Sequence, residues 1–239
     1  AKGNKETTIS IQFRTLRSVY NKAIKRKCVG KEYYPFEDFH INKFNVHTDK
    51  RAISKNDVLK IISADLTGKS EYVKFSRDIF VFSYLCGGIN FCDVASLTKE
   101  NILNGRLFYV RQKTGKQINL CLTKNDSAII DIYYKGGKGF LFPILDVTRH
   151  ITATQRENRL HKVLGQVDKS LKIVAQIAKV DVNLTTYVAR HSYATVLKRS
   201  GVPTSIICES LGHSSERVTQ IYLDSFENEQ IDEAMKNLL

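Results

Sequence analysis

The chain has 239 residues, with 37 lysines and arginines against 24 aspartates and glutamates, which gives a formal charge of +13. Its 42% hydrophobic and 10% aromatic content is typical of a folded chain with a sizeable core. The longest segment without a charged residue, Ile79 to Cys92, is shorter than the roughly 20 residues that span a bilayer. With no internal repeat and no periodic glycine or proline, this composition excludes a membrane protein, a collagen and a solenoid.

The positive charge is concentrated at the N-terminus, where a helix is predicted. Residues 1–31 hold nine basic residues and one acid, whereas the last sixteen residues hold five acids and one lysine. Apolar residues recur at helical spacing from Thr8 to Cys28, with basic residues largely between them. This distribution indicates a polyanionic partner, with nucleic acid as the first candidate. The alternative is charge that serves solubility alone.

Neither a signal peptide nor a transit sequence opens the chain, and the alanine directly before a helical pattern leads us to expect an excised fragment. The cysteines are odd in number, scattered and never in a C-x-x-C pair, unlike a disulfide framework or a zinc ribbon. We therefore expect reduced thiols in a reducing cytoplasm, mostly buried as small apolar residues. The five are Cys28, Cys86, Cys92, Cys121 and Cys208.

The elements that follow are predicted to be helical up to a short central sheet. The aromatic segment from Lys31 to Asp49 indicates a linker or docking segment. Ser54 is expected to cap a helix that runs to about Asp65, with Val58, Ile61 and Ile62 on its inner face. A more apolar helix over residues 71–86 is expected in the centre of the core.

The pattern changes between Thr98 and Leu122. Leu107–Arg111 and Gln117–Leu122 are predicted strands, and 101–103 is a candidate third strand. Every later pattern is helical, with predicted helices at about 124–134, 152–178, 187–200, 203–211, 215–223 and 226–238. The expected fold class is mainly α with a small antiparallel β-sheet. The run of residues 136–139 lacks the spacing of a phosphate-binding loop and indicates a turn.

Four short motifs carry the candidate chemistry. The first is the segment from Tyr109 to Gly115, in which strand geometry places Arg111 and Lys113 side by side before a tight turn. A solvated hairpin with exposed cations is its open alternative. The other motifs are Thr185-Thr-Tyr-Val-Ala-Arg-His-Ser-Tyr-Ala-Thr195, Leu211-Gly-His-Ser-Ser215 and Thr219-Gln-Ile-Tyr-Leu223. Helical spacing puts Tyr187, Arg190 and His191 on one face, and Gly212 ends a helix before His213.

The order of these motifs resembles the catalytic domain of the tyrosine recombinases, the phage integrase family, and looks closest to integrases of bacterial mobile elements. The resemblance covers about residues 51–239, and the basic helix before it is similar to the end of the family's core-binding domain. It implies a catalytic domain over 46–239, preceded by the C-terminal part of a helical DNA-clamp domain over 1–45.

The resemblance also implies the site residues. Tyr222 matches the nucleophile that forms a 3′-phosphotyrosyl bond and releases a 5′-hydroxyl, a reaction that needs neither ATP nor a metal. Arg190 matches the second family arginine, His213 the later histidine and Lys113 the lysine of the hairpin. The residue types suit this chemistry, because a guanidinium can hold two phosphate oxygens and a lysine can protonate the leaving oxygen.

Two departures from the family pattern stand out. Asn90 lies where the first family arginine belongs, and an amide supplies neither a cation nor a bidentate fork. Our hypothesis is that Arg111 supplies the missing guanidinium. Tyr187 lies where many members carry histidine, and we expect a supporting role for it. His191 is expected to be structural, and Asp93 matches the acid that orients neighbouring groups.

The resemblance further implies double-stranded DNA as partner and a homotetramer on it, weakly associated or monomeric without it. Accessory DNA-bending or directionality proteins, and a location in the bacterial cytoplasm on the nucleoid, belong to the same expectation. The C-terminal helix over 226–238 is expected to dock on a neighbouring protomer, with packing on its own domain as the alternative. A catalytically silent DNA-binding relative and a type IB topoisomerase-like nicking and closing enzyme remain alternative functions.

Overall fold

The structure is a computed structural model that describes residues 3–44, 51–137, 139–220 and 223. The chain divides into two compact units, residues 1–49 and 50–239. No helix in these described ranges is long and apolar enough to cross a membrane.

The first unit is built on one basic helix, α1 (Glu6–Lys25), which lies close to the predicted span. The segment after it is a series of short turns, including single 3₁₀ turns at Lys31–Tyr33 and Ile41–Lys43. Its aromatic rings pack on those of α1: the Phe13 and Phe39 centroids lie 4.6 Å apart, and Tyr20 contacts Tyr34 and Phe36. The aromatic segment therefore docks on α1, as far as residue 44.

The second unit is mainly helical with one small sheet, the fold class that the sequence predicts. Ser54 accepts a hydrogen bond from the backbone N–H of Asp57 and caps the first of these helices, as expected. The helices are α2 (Lys55–Ile62), α3 (Glu71–Leu85), α4 (Phe91–Ser96), α5 (Lys124–Tyr133), α6 (Ala153–Ile177), α7 (Thr186–Arg199), α8 (Thr204–Ser210) and α9 (Glu216–Gln220). The predicted helix over 226–238 lies outside the described residues.

Helix α3 forms the centre of the core, as its apolar sequence predicts. Phe80 and Phe82 are fully buried, and the helix packs against α6 and α7 as well as α2 and α5. On α2, Val58 and Ile61 are buried, as predicted, and Ile62 is half-buried. This packing positions α7, which carries Arg190, and the loop between α3 and α4, which carries Gly88.

The sheet has three antiparallel strands in the order β1 (Ile102–Leu103), β2 (Arg106–Val110) and β3 (Gln117–Cys121). Leu107 and Ile118 point into the core on alternate positions of their strands. Strand β2 ends one residue earlier than predicted, at Val110, so Arg111 opens the turn that joins β2 to β3.

The expectation that most cysteines are buried is wrong. Cys86 and Cys208 are buried and Cys92 is half-buried, whereas Cys28 and Cys121 are exposed. Both exposed cysteines lie outside the cores, Cys28 just after α1 and Cys121 at the end of the edge strand β3. All five thiols are free.

Candidate functional site

Arg190 lies in the middle of α7 with its side chain almost fully buried. Its Nη1 donates to the Gly88 carbonyl over 2.6 Å, and its Nη2 donates to the Leu211 carbonyl, also over 2.6 Å. The loop before α4 can approach this closely because Gly88 has φ +65° and no side chain. A Cβ at Gly88 would lie 3.0 Å from the Arg190 Cα. The guanidinium is therefore held in one orientation by two backbone carbonyls.

Arg111 reaches the same place from the sheet. It is 3% exposed, and its Nη1 donates to the Gly212 carbonyl over 2.7 Å. Its buried Nε has no hydrogen-bond partner among the described residues. Because Arg190 and Arg111 bind the consecutive carbonyls of Leu211 and Gly212, two guanidinium groups from distant parts of the sequence converge on one short segment.

The segment that gathers them ends helix α8. The Gly212 N–H donates to the Glu209 carbonyl and the His213 N–H to the Cys208 carbonyl, the paired bonds of a Schellman motif. Gly212 has φ +61°, and a Cβ there would lie 3.1 Å from the Arg111 Cδ. The predicted helix end at Gly212 is thus confirmed, and it turns His213 inward beside the arginines.

His213 is buried between Arg190 and Thr219. Its Nε2 lies 3.0 Å from the Arg190 Nη2, and its Nδ1 lies 2.9 Å from the Thr219 Oγ1. Because a guanidinium can only donate, the Nε2 accepts and the proton of the neutral ring is on Nδ1, which donates to Thr219. Burial, followed by the positive charges of Arg190 and Arg111, lowers the pKa of His213 to about 3. The ring is neutral at physiological pH.

Asp93 on α4 is the buried carboxylate of this cluster. Its Oδ1 accepts from the Gln112 N–H over 3.0 Å, and the amide of Asn90 also hydrogen-bonds its carboxyl group. Burial raises the pKa of Asp93, whereas the hydrogen bond from Gln112 and the charges of Arg111 and Arg190 act in the opposite direction. One carboxylate thus faces two buried guanidinium groups, and the positive excess suits an anion.

The expected side-by-side display of Arg111 and Lys113 on one strand face is wrong. Residues 112–114 form a turn, closed by hydrogen bonds from Thr114 N–H and Gly115 N–H to the Arg111 carbonyl. Arg111 points into the interior, and Lys113 is exposed on the turn. Lys113 still lies near the cluster, since its charge is among those that lower the pKa of His213.

Tyr187 lies in the first turn of α7 and is 41% exposed. Its ring contacts the buried His191 edge to face, with centroids 4.7 Å apart, so part of the predicted common face is present. A cavity of about 860 Å³ opens beside α4, α6 and α7. Asn90, Gln112 and Tyr187 are among its lining residues.

Tyr222 lies outside the described residues, which end on α9 at Gln220 apart from Leu223. The described residues therefore bring together Arg111, Arg190 and His213 and keep Lys113 nearby on the turn. No cluster of three or more histidine, cysteine or acidic side chains that could hold a metal occurs within these described ranges.

Three residues in contact with this site were missed by sequence reasoning. Gln112 and Thr114 flank Lys113 in the first motif, and Thr219 opens the fourth motif. Thr114 donates from Oγ1 to the Gly212 carbonyl over 2.9 Å. Their positions inside the motifs could have drawn attention to them. Their hydrogen-bond partners could not be predicted, because those of Gln112 and Thr114 lie far away in the sequence and that of Thr219 lies beyond the start of α9.

Comparison with known families matches both units. Residues 51–229 match the phage integrase family, and residues 1–45 match the phage integrase SAM-like domain. A tyrosine recombinase of Agathobacter rectalis is 35% identical over 159 residues, 64% of this chain and 50% of the relative. Tyrosine recombinase XerA of Pyrococcus horikoshii is 26% identical over 201 residues, 80% of this chain and 65% of the relative. The chain thus spans 65% and 50% of the length of these curated relatives.

Solved structures share the fold. The Tn1549 transposon integrase, in complex with a circular intermediate DNA, aligns with a TM-score of 0.64 and 16% identity, covering 99% of this chain and 81% of that chain. A lambda integrase dimer bound to a COC′ core site aligns with a TM-score of 0.60 and 16% identity, covering 90% and 74%. A lambda integrase tetramer bound to a Holliday junction aligns with a TM-score of 0.60 and 15% identity, covering 88% of this chain and 57% of that chain.

Proposed function

Because this chain belongs to the phage integrase family of tyrosine recombinases, we propose that it acts as a site-specific DNA recombinase of a mobile element, either integrating or excising it. The observation that carries the proposal is the convergence of the buried Arg111 and Arg190 with a neutral His213 on the segment Leu211–His213. A site with two fixed guanidinium groups and one buried carboxylate suits the charge of a phosphodiester under attack.

In the proposed reaction, the Tyr222 hydroxyl attacks the scissile phosphorus and gives its proton to solvent water. The bond from phosphorus to the 5′-oxygen breaks as the 3′-phosphotyrosyl bond forms. Lys113 gives a proton to the departing 5′-oxygen, which leaves as a hydroxyl. A second 5′-hydroxyl then reverses these steps and rejoins the strand, so the bond energy is kept without ATP.

Arg190 and Arg111 hold the non-bridging oxygens in this proposal. Arg111 takes the place of the first family arginine, where this chain has Asn90. Two facts support this role: Arg111 ends beside Arg190, and its Nε has no acceptor among the described residues. His213 accepts from Arg190 through Nε2 and fixes the direction of that guanidinium. Tyr187, which lines the cavity, has a supporting role.

We assign residues 1–45, which belong to the basic first unit, to the end of a DNA-clamp domain with its linker, and residues 46–239 to the catalytic domain. The proposed partner is duplex DNA, bound largely through phosphate contacts. Two similar structures are a dimer on a core site and a tetramer on a Holliday junction. By analogy, this chain would assemble as a tetramer on two duplexes, with residues 226–239 docking on a neighbour and accessory DNA-bending or directionality proteins assisting.

The test is a covalent trap. The chain is incubated with a pool of nicked duplexes whose sequence is randomised around the nick, and covalent complexes are recovered from a denaturing gel and sequenced. We expect a slower band that Tyr222→Phe abolishes, together with enrichment of one sequence. DNA shifts on native gels without a covalent band would instead indicate a silent DNA-binding relative, and trapping without sequence enrichment would indicate a nicking and closing enzyme.

A further inference from the structure

Hydrogen bonds hold the turn that carries Lys113 on both sides of the lysine. On the N-terminal side, the Gln112 N–H donates to the Asp93 carboxylate over 3.0 Å. The Gln112 side-chain Nε2 donates to the Ser96 Oγ over 2.8 Å and to the Cys92 carbonyl over 3.3 Å. All three acceptors belong to α4, so one neighbour of Lys113 is tied to that helix by backbone and side chain together.

On the C-terminal side, Thr114 is tied to a different element. Its Oγ1 donates to the Gly212 carbonyl over 2.9 Å, the same oxygen that accepts from the Arg111 Nη1 over 2.7 Å. The turn itself is closed by the Gly115 N–H donating to the Arg111 carbonyl over 2.8 Å. Lys113 therefore stands between a residue bound to α4 and a residue bound to the segment that holds the arginines.

An exposed turn containing lysine and glycine needs no such fastening for folding, because exposed turns tolerate motion. A proton donor needs it, because a general acid must lie within hydrogen-bond distance of the departing oxygen. We propose that Gln112 and Thr114 are positioning residues that hold the Lys113 backbone so that its ammonium group reaches the leaving 5′-oxygen. This inference rests on the proposed function and on the role of Lys113 as general acid.

The ratio of cleavage rates on two substrates distinguishes a lost proton donor from a general loss of folding. When sulfur replaces the bridging 5′-oxygen, the leaving group is a thiolate, whose conjugate acid has a pKa of about 8.5, and it departs without a proton donor. A defect in proton donation therefore disappears on the sulfur substrate. A defect in phosphate binding or in folding remains.

The experiment uses the duplex recovered from the covalent trap, made once with oxygen and once with sulfur at the bridging 5′ position. Single-turnover cleavage is measured for Thr114→Val, Gln112→Met and the conservative Thr114→Ser. With oxygen, Thr114→Val and Gln112→Met are expected to slow cleavage by about 10- to 100-fold, whereas Thr114→Ser keeps the hydroxyl and stays near the unmodified chain. With sulfur, both slowed variants are expected to cleave within about threefold of the unmodified chain.

Two further variants make the result decisive. Asn119→Ala is the matched control, because its Oδ1 accepts from the Arg106 Nε within the same hairpin but is tied to neither α4 nor Gly212. It should cleave normally on both substrates. Lys113→Ala is the reference for a lost acid and should recover on sulfur.

The outcomes separate the two proposals. The positioning role is wrong if Lys113→Ala recovers on sulfur while Thr114→Val and Gln112→Met stay slow. It is also wrong if Thr114→Val and Gln112→Met cleave normally with oxygen. In either case the proposed function stands. If Lys113→Ala itself fails to recover, the lysine is not the acid, and the positioning inference falls with it. Failure of the covalent trap would overturn the recombinase proposal instead.

Discussion

The chain holds its positive charge in two different ways. On α1, Arg14, Arg17, Lys22 and Lys25 line one shallow, solvent-exposed depression, and Ser10 is the one buried residue that this helix contributes. In the second unit, Arg111 and Arg190 are buried and donate to backbone carbonyls of Leu211, Gly212 and Gly88. The contributions of exposed cations to binding free energy are nearly additive and are screened by salt. A buried cation with fixed partners is screened much less, and the effect of replacing it depends on those partners. The first arrangement suits binding, and the second suits chemistry.

Replacing Arg190 should give the largest effect. Arg190→Ala leaves the Gly88 and Leu211 carbonyls and the His213 Nε2 without this donor, and we expect covalent-complex formation to fall by about 10³-fold or more. Arg190→Lys keeps the charge but loses the two-pronged geometry, and about 10²-fold should be lost. Single-turnover trapping measures both. Thermal unfolding and duplex binding are the controls. A lysine variant that binds normally and cleaves at nearly the original rate would show that charge alone is sufficient.

Replacing Arg111 should give the second-largest effect. Among the described residues its guanidinium donates one hydrogen bond, to the Gly212 carbonyl, whereas that of Arg190 contacts three partners. We expect Arg111→Ala to lower the cleavage rate by about 10²-fold. The sharper test adds Asn90→Arg to this variant, since the motif resemblance matches Asn90 to the family's first arginine and Asn90 lines the cavity. Recovery of about tenfold would establish that the two positions supply the same guanidinium. Normal cleavage by Arg111→Ala alone would remove Arg111 from the site.

Arg111 also shows where sequence reasoning reached its limit. Most of the described helices, the cap at Ser54 and the end at Gly212 were predictable because their causes lie within a few residues. The inward direction of Arg111 was not, because it depends on β2 ending at Val110 and on a carbonyl 101 residues away at Gly212. Helix α4 was missed for a related reason: its six residues are too few to show a helical period.

Which candidate residues lie close together was predictable, but their arrangement was not. The motifs and the family resemblance named Arg190, His213 and Lys113 without showing their partners. That His213 lies between Arg190 and Thr219 follows from the Schellman turn together with the packing of α9, which is a tertiary property. The same holds for Thr114, whose acceptor belongs to another motif.

The third effect is on the free energy of unfolding and concerns the buried His213 of the second unit. The pKa of His213 is about 3 in the folded chain and 6.5 ordinarily. Between these values the unfolded chain binds a proton that the folded chain does not, so the free energy of unfolding falls as the pH drops. From pH 6.5 to 5.5 the loss should be about 1 kcal/mol, because the histidine of the unfolded chain is already half-protonated at pH 6.5.

Denaturant unfolding of the chain and of His213→Asn across this range measures that contribution. Burial raises the pKa of Asp93 and Asp168, which acts with the opposite sign in both proteins, so the difference between the two curves isolates the histidine. Parallel curves would mean that His213 takes up its proton in the folded chain as readily as in the unfolded one.

The smallest effect should come from single exposed cations on α1. Lys22→Gln or Lys25→Gln is expected to weaken duplex binding only about two- to fivefold at moderate salt, and to lower the slope of log affinity against log salt by about one for each phosphate contact removed. Lys60→Gln is the matched control, because Lys60 already pairs with Asp57 at 2.8 Å on α2. Fluorescence anisotropy over a series of salt concentrations gives both quantities. If Lys22→Gln and Lys25→Gln combined lower the slope by no more than either alone, the α1 face does not follow the phosphate backbone, and its charge serves solubility alone.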